Sequence, residues 1–305
     1  MNNSKQFILA NTEVMTLDEI NNNHIIPVHI KDNEPAISHY QFIDAVVSAS
    51  NQVFGNVSHP EIRVSHPIKG RIPEARHKAA KDLEPNESTL YFERMAWVAN
   101  IPSITTEVDG ETLELTIGGV KSYNLDNLYS TKETSEIFKV FIGFKNRVCT
   151  NLCVTTDGFM SELKATDVDH IFYETTKLIQ KFNPEYYSNL FNSFKDVSLS
   201  ERLFAQMLGR AKLYNAMPLL LKKDIPRLGL TDSQLSAVAE DYYLDESHCR
   251  SENGDINLWK VYNLFTGANK SSYIDTFLDR NTAVFKGVEG LYSALSSNQP
   301  SWYLN

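Results

Sequence analysis

The chain has 305 residues, 42% of them hydrophobic, and a formal charge of -9 from 38 acidic and 29 basic side chains. Such a length supports one large globular domain or two smaller ones, and the negative balance argues against a protein that coats duplex DNA. Three cysteines, Cys149, Cys153 and Cys249, are too few and too uneven for a disulfide framework. With no charged-then-apolar signal pattern at the N-terminus and no apolar run near the roughly 20 residues of a membrane span, the expectation is a reduced, cytoplasmic protein without membrane contact.

Residues 1–33 are Asn-rich and read as a flexible tail, with one short ordered piece near Ile25 to Ile30. Ser38 before Phe42, Ala45, Val46, Ala49 and Val53 predicts a capped amphipathic helix that stops at Gly55. The next stretch, Ile62 to Lys81 (IRVSHPIKGRIPEARHKAAK), is basic against an acidic background. Its first half alternates: Ile62, Val64, His66 and Ile68 form a buried face, with Arg63, Ser65, Pro67 and Lys69 opposite. Ser88 to Val98 carries large apolar groups on both parities, as a central strand covered on both faces does, and Pro102 marks its end. Asp109-Gly110 predicts a tight hairpin that sets Thr106 opposite Leu113, Ile104 opposite Leu115, Glu107 opposite Thr112 and Thr105 opposite Glu114. Gly118-Gly119 permits a bulge or bend. The strand from Ile137 to Phe144 turns Phe138, Val140, Ile142 and Phe144 one way and Lys139, Phe141 and Lys145 the other; Arg147 joins the second set if the chain stays extended past Asn146.

From Thr166 the apolar period becomes helical, with breaks at Asn183-Pro184 and Pro218 and caps at Ser200 and Thr231. The reading is an α+β chain: an N-terminal helix and a largely antiparallel sheet (34–160), then an all-helical half (161–305) packed on the sheet or forming a second domain. The boundary falls near Asp157-Gly158.

For chemistry, Arg63, Lys69, Arg71, Lys139, Lys145 and Arg147 on the less apolar strand faces, extended by Arg76 and Lys78 and interleaved with Phe141, are the types that track a phosphate backbone and stack a base. The plain alternative is a solvated face with ordinary ion pairs. His59, His66 and His77 show no metal-ligand spacing, His66 reads as a residue packed beneath the sheet, and Cys149 and Cys153 read as buried free thiols. Neither a nucleophile elbow nor a nucleotide loop is present, so no catalytic residue, cofactor or metal is assigned. The acidic run Glu240 to Asp255, with Asp241, Asp245, Glu246, His248, Cys249, Glu252 and Asp255, reads first as a solvated connection and second as a divalent-ion site for hydrolysis.

Four blocks carry a resemblance: SHPIKGRIPEARHKAA at 65–80, YFERMAWVANIPSI at 91–104, FIGFKNRVCTNL at 141–152 and LWKVYNLFTGANKSSYIDTFLDR at 258–280. In them the chain resembles domain-of-unknown-function family 3871, uncharacterised Bacteroidota proteins often found among mobile-element genes. The resemblance implies no activity and transfers no site residue. RVCTN at 147–151 and YNLFT at 262–266 give a more distant likeness to phage- and plasmid-borne proteins, and helix-then-sheet looks compatible with phage single-strand annealing proteins. The expectation is a non-catalytic, single-stranded nucleic-acid-binding accessory protein of a mobile element, able to form homo-oligomers. The alternatives are a module that engages or inhibits a host protein and a metal-dependent hydrolase. Asn263, Asn269 and Lys270 serve equally well as helix-end and turn residues without a ligand.

Overall fold

A computed structural model describes residues 6–24, 36–75, 77–126 and 135–305. In chain order the elements are β1 (Glu13–Met15), α1 (Leu17–Asn23), α2 (His39–Phe54), β2 (Glu61–Val64), β3 (Pro67–Arg71), β4 (Ser88–Phe92), β5 (Arg94–Val108), β6 (Glu111–Ser122), α3 (Tyr123–Asp126), β7 (Glu136–Asn146), β8 (Leu152–Cys153) and β9 (Phe159–Ala165). The helical half follows as α4 (Val168–Lys181), α5 (Pro184–Phe194), β10 (Ser198–Leu199), α6 (Glu201–Ala216), α7 (Asp232–Leu244), β11 (Ile256–Asn257), α8 (Leu258–Asn269) and α9 (Ile274–Ser296). This is the expected α+β class.

Among the described residues a seven-stranded antiparallel sheet runs β1-β2-β5-β6-β7-β8, with β9 beside β8 on the same edge of β7. Its spine is the β5–β6 hairpin. Asp109 (φ 52°) and Gly110 (φ 78°) take the left-handed conformations that a two-residue turn demands. Thr105, Thr106 and Glu107 pair with Glu114, Leu113 and Thr112 as the turn predicts. Leu115, however, pairs with Ile101 rather than Ile104, because a bulge between Ile101 and Thr105 absorbs Pro102 and lets β5 continue past it. Gly118 and Gly119 stay in regular register. A side chain at Gly118 would meet the Trp97 carbonyl and the Phe141 ring, and one at Gly119 the Phe42 ring. These glycines admit close neighbours rather than bend the strand.

Both faces of the sheet are covered. Trp97, Phe138, Val140, Ile142 and Phe144 face a main core shared with α2, α4, α5, α8 and the later turns of α9. α2 is held by a capping box at Ser38 and a left-handed stop at Gly55. The other face packs Ala96, Val98, Val120 and Phe141 against Phe7, Ile8 and the first turns of α9 at Ile274, Phe277 and Leu278. Residues 6–24 therefore depart from the tail reading: Phe7 and Ile8 fill the second core and β1 pairs with β2. Three-residue strands carry too little periodicity to register in a sequence. The ordered piece proposed near Ile25 to Ile30 lies outside the described residues. The sheet also passes Asp157-Gly158, since β9 pairs with β7.

Candidate functional site

The basic stretch does not form one strand. The chain leaves the main sheet at Ser65-His66, and β3 pairs instead with β4 in a separate two-stranded ribbon. β2 is covered on both faces, so Arg63 is 6% exposed, against the expected solvent face, with Glu61 at 4.0 Å. His66 is exposed and pairs with Glu13 at 2.9 Å instead of packing beneath the sheet. Phe141, offered above as a stacking ring, is 1% exposed in the second core, so a base cannot reach it in this fold.

The remaining strip is neutralised residue by residue. Lys139 bonds to Asp279 and to the Asp275 carbonyl, and Lys145 lies 3.6 Å from Glu61. The chain turns at Asn146 rather than staying extended, and Arg147 pairs with Glu114 at 2.5 Å. On the ribbon, Lys69 is exposed opposite Leu90; Arg71 donates to the Lys78 carbonyl, and Lys78 pairs with Glu87 at 2.5 Å. Arg76 lies outside the described residues. The structure thus separates Lys69 and Arg71 on the ribbon, and Lys78 in the connection between its strands, from Arg63, Lys139, Lys145 and Arg147 on the main sheet.

The base of the ribbon is anchored by two buried imidazoles. His24 Nδ1 accepts from the Phe92 amide at 3.1 Å, so its proton sits on Nε2, 3.3 Å from the Tyr123 hydroxyl, which in turn donates to the Ile37 carbonyl at 3.2 Å. His39 Nε2 donates to the Phe92 carbonyl at 2.8 Å, leaving its buried Nδ1 without a partner among the described residues. The rings stack at 4.3 Å, which two cations would not tolerate. Burial lowers His24 to about 4 and holds His39 well below 6.5, with the charges of His24 and Lys121 adding to the latter effect. Two carboxylates close to Tyr123 are already engaged: fully buried Lys121 meets Asp126 at 2.5 Å and Glu136 at 2.8 Å, over the Phe138 ring at 4.2 Å.

A second buried polar centre lies at the other end of β6. His248 Nε2 meets Glu111 at 2.9 Å, and its Nδ1 lies 3.4 Å from Asp245; Trp259 donates to the other Glu111 oxygen at 2.9 Å. Burial opposes the charge on His248, yet the bonds and charges of Asp245 and Glu111 outweigh it and lift the imidazole to about 9. Its hydrogen bonds hold Asp245 down at about 2. Both ring nitrogens are committed to carboxylates, so His248 and Asp245 of the acidic run form an ion pair with Glu111, and Asp255 is taken up in a turn with Asn253.

Beside it, RVCTN meets YNLFT. Asn151 donates to the backbone and side-chain oxygens of Asn263, each at 3.1 Å, and the Cys149 thiol points at Asn263 Oδ1 at 3.8 Å. Lys270, at the end of α8, donates to the Cys149 carbonyl and to Thr150 Oγ1, securing a turn in which Thr150 has φ 56°. Burial lowers Lys270 to about 8 and raises the Cys149 thiol to about 11, a poor nucleophile. One family model, described as "Domain of unknown function, B. Theta Gene description (DUF3871)", matches residues 1–304. The chain belongs to DUF3871. No curated protein and no solved structure gives a significant match. In this DUF3871 chain the blocks at 141–152 and 258–280, apart in sequence, thus build one junction; His24, His39, Glu111 and Lys121 carried no sequence signal because their partners come from distant segments.

Proposed function

We propose that this DUF3871 chain is a non-catalytic binding module that engages single-stranded nucleic acid through the β3–β4 ribbon, in the cytoplasm and in the service of a mobile element. The observation that carries this reading is the ribbon itself: it stands apart from the main sheet, its basic groups are not absorbed into the core, and exposed Lys69 lies opposite exposed Leu90. Tyr91, half-buried opposite Ile68, supplies the aromatic ring there that Phe141 does not. A two-stranded ribbon with ammonium, guanidinium and apolar groups on one face and an aromatic ring on the other suits a flexible strand, whose phosphates and bases are both accessible. The acidic remainder of the surface disfavours binding elsewhere, which restricts contact to the ribbon.

The test is anisotropy of labelled single-stranded and duplex DNA across a salt series. Single strands are expected to bind preferentially, with a logarithmic salt slope of about -1.5 to -3 for two to four phosphate contacts, and Lys69→Glu with Lys81→Glu, the latter exposed in the connection between β3 and β4, is expected to flatten that slope by about 1. Salt-independent binding, no binding at low salt, or binding unchanged in the double variant overturns the reading.

A further inference from the structure

The α6–α7 pair ends in two apolar patches of opposite charge. The helices are antiparallel: Lys212 and Asn215, near the end of α6, bond to Ser236 and Asp232 in the first turns of α7, while Tyr243 at the end of α7 bonds to Glu201 at the start of α6. Just beyond α6, Leu219, Leu220 and Leu221 are 83%, 78% and 64% exposed on a 3-10 turn spanning Leu219–Lys222. At three residues per turn, three successive side chains point in three directions, so this turn is a knob rather than one face of a packed helix. Lys222, which donates to the Asn215 carbonyl, Lys223 and Arg227 adjoin it in sequence against Asp224, and Lys212 on the last turns of α6 stands against Asp232 at the start of α7. At the other end of the pair, about 24 Å away by the length of a 16-residue helix, Tyr243 and Leu244 are 53% and 69% exposed. Their setting is acidic, with Glu201, Glu240, Asp241 and Glu246 against Arg250, which sits over the Tyr243 ring at 5.2 Å, while Asp245 is taken up by His248.

We propose that these two ends dock on each other between copies of this chain, the leucine knob of one copy against the Tyr243–Leu244 patch of the next. Each patch is too apolar to be left in water without cost and carries the charge that the other lacks, so the chain is its own complementary partner. Contact between two different patches is heterologous: it does not close on itself as a two-fold dimer does, and association continues past two copies into a ring or a filament. Patches of a few large side chains lie at the small end of specific interfaces, which places the dissociation constant at about 10–100 μM. This assembly is independent of what the ribbon binds.

Sedimentation equilibrium of the full chain across this concentration range tests it. The expected result is an average mass that rises beyond two copies and falls as salt is added. Lys222→Glu with Lys223→Glu, and separately Glu240→Lys with Asp241→Lys and Glu246→Lys, each give a chain whose two patches share a sign and which stays monomeric. An equimolar mixture of the two variants regains the wild-type association, which also shows that neither had unfolded. A wild-type chain monomeric throughout, or charge reversals without effect, overturns the proposal. So does a dimer lost in Leu220→Gln yet indifferent to Glu240 and Glu246, which means knob-to-knob contact, or a monomer that sediments with phosphatidylglycerol vesicles through Leu220, which means a lipid occupant.

Discussion

The two ends of β6 are both built around buried imidazoles, and they hold them in opposite charge states. At the Lys121 end, His24 and His39 are neutral because Asp126 and Glu136 are spent on the lysine and, among the described residues, the Phe92 peptide and the Tyr123 hydroxyl are the polar partners that face them. At the Glu111 end, His248 is charged because two carboxylates face it. Burial disfavours the cation at both ends; the count of uncommitted carboxylates decides the outcome. The ends therefore respond to pH with opposite sign. His24 and His39 lie below 6.5, so the unfolded chain takes up their protons first and stability falls as pH drops from 6.5 toward 4. His248, raised to about 9, contributes stability that is complete below 6.5 and lost as pH rises to about 9.

The largest effect is expected from Lys121→Met, which leaves Asp126 and Glu136 buried without a cation. Urea unfolding should show a loss of about 3–5 kcal/mol, and a loss below 1 kcal/mol would mean that the two carboxylates are not spent on Lys121, which removes the reason given for a neutral imidazole pair. His248→Gln should lose about 2–3 kcal/mol at pH 6.5 and very little at pH 10; an equal loss at both values would deny the imidazolium its role. Gly118→Ala, mid-strand, forces a methyl group toward the Trp97 carbonyl and the Phe141 ring. It should cost about 1–3 kcal/mol independently of pH, a control for strand damage that carries no titration. His39→Phe keeps a ring in the stack and leaves the Phe92 carbonyl unpaired, for about 1 kcal/mol at pH 7. Its signature is a flatter stability curve between pH 6.5 and 4, and an unchanged acid limb would count against a neutral pair.

Much of this architecture is legible residue by residue. The Asp109-Gly110 turn dictates the register as far as Thr105, and the caps at Ser38, Ser200 and Thr231 open helices where expected. What pattern alone misses is coverage. Alternation says that Arg63 and Phe141 point away from the main core, but not that a short N-terminal segment and the first turns of α9 lie over that second face. The bulge at Pro102 escapes for a related reason, since one partner strand cannot report a slip in the other. The candidate centres were hidden because they join segments far apart, such as Glu111 to Trp259 or Cys149 to Asn263, although two blocks singled out in the sequence, RVCTN and YNLFT, do meet.

The contact between Glu111 and Trp259 spans 148 residues. On a ribosome adding about 5–20 residues per second, the hairpin tip is made some 7–30 s before the indole that secures it. For that interval the nascent sheet has two strands' worth of tip, a buried-to-be carboxylate and an uncovered apolar face open to other chains. Truncated or stalled products ending before α8 are therefore the species that chaperones would have to hold.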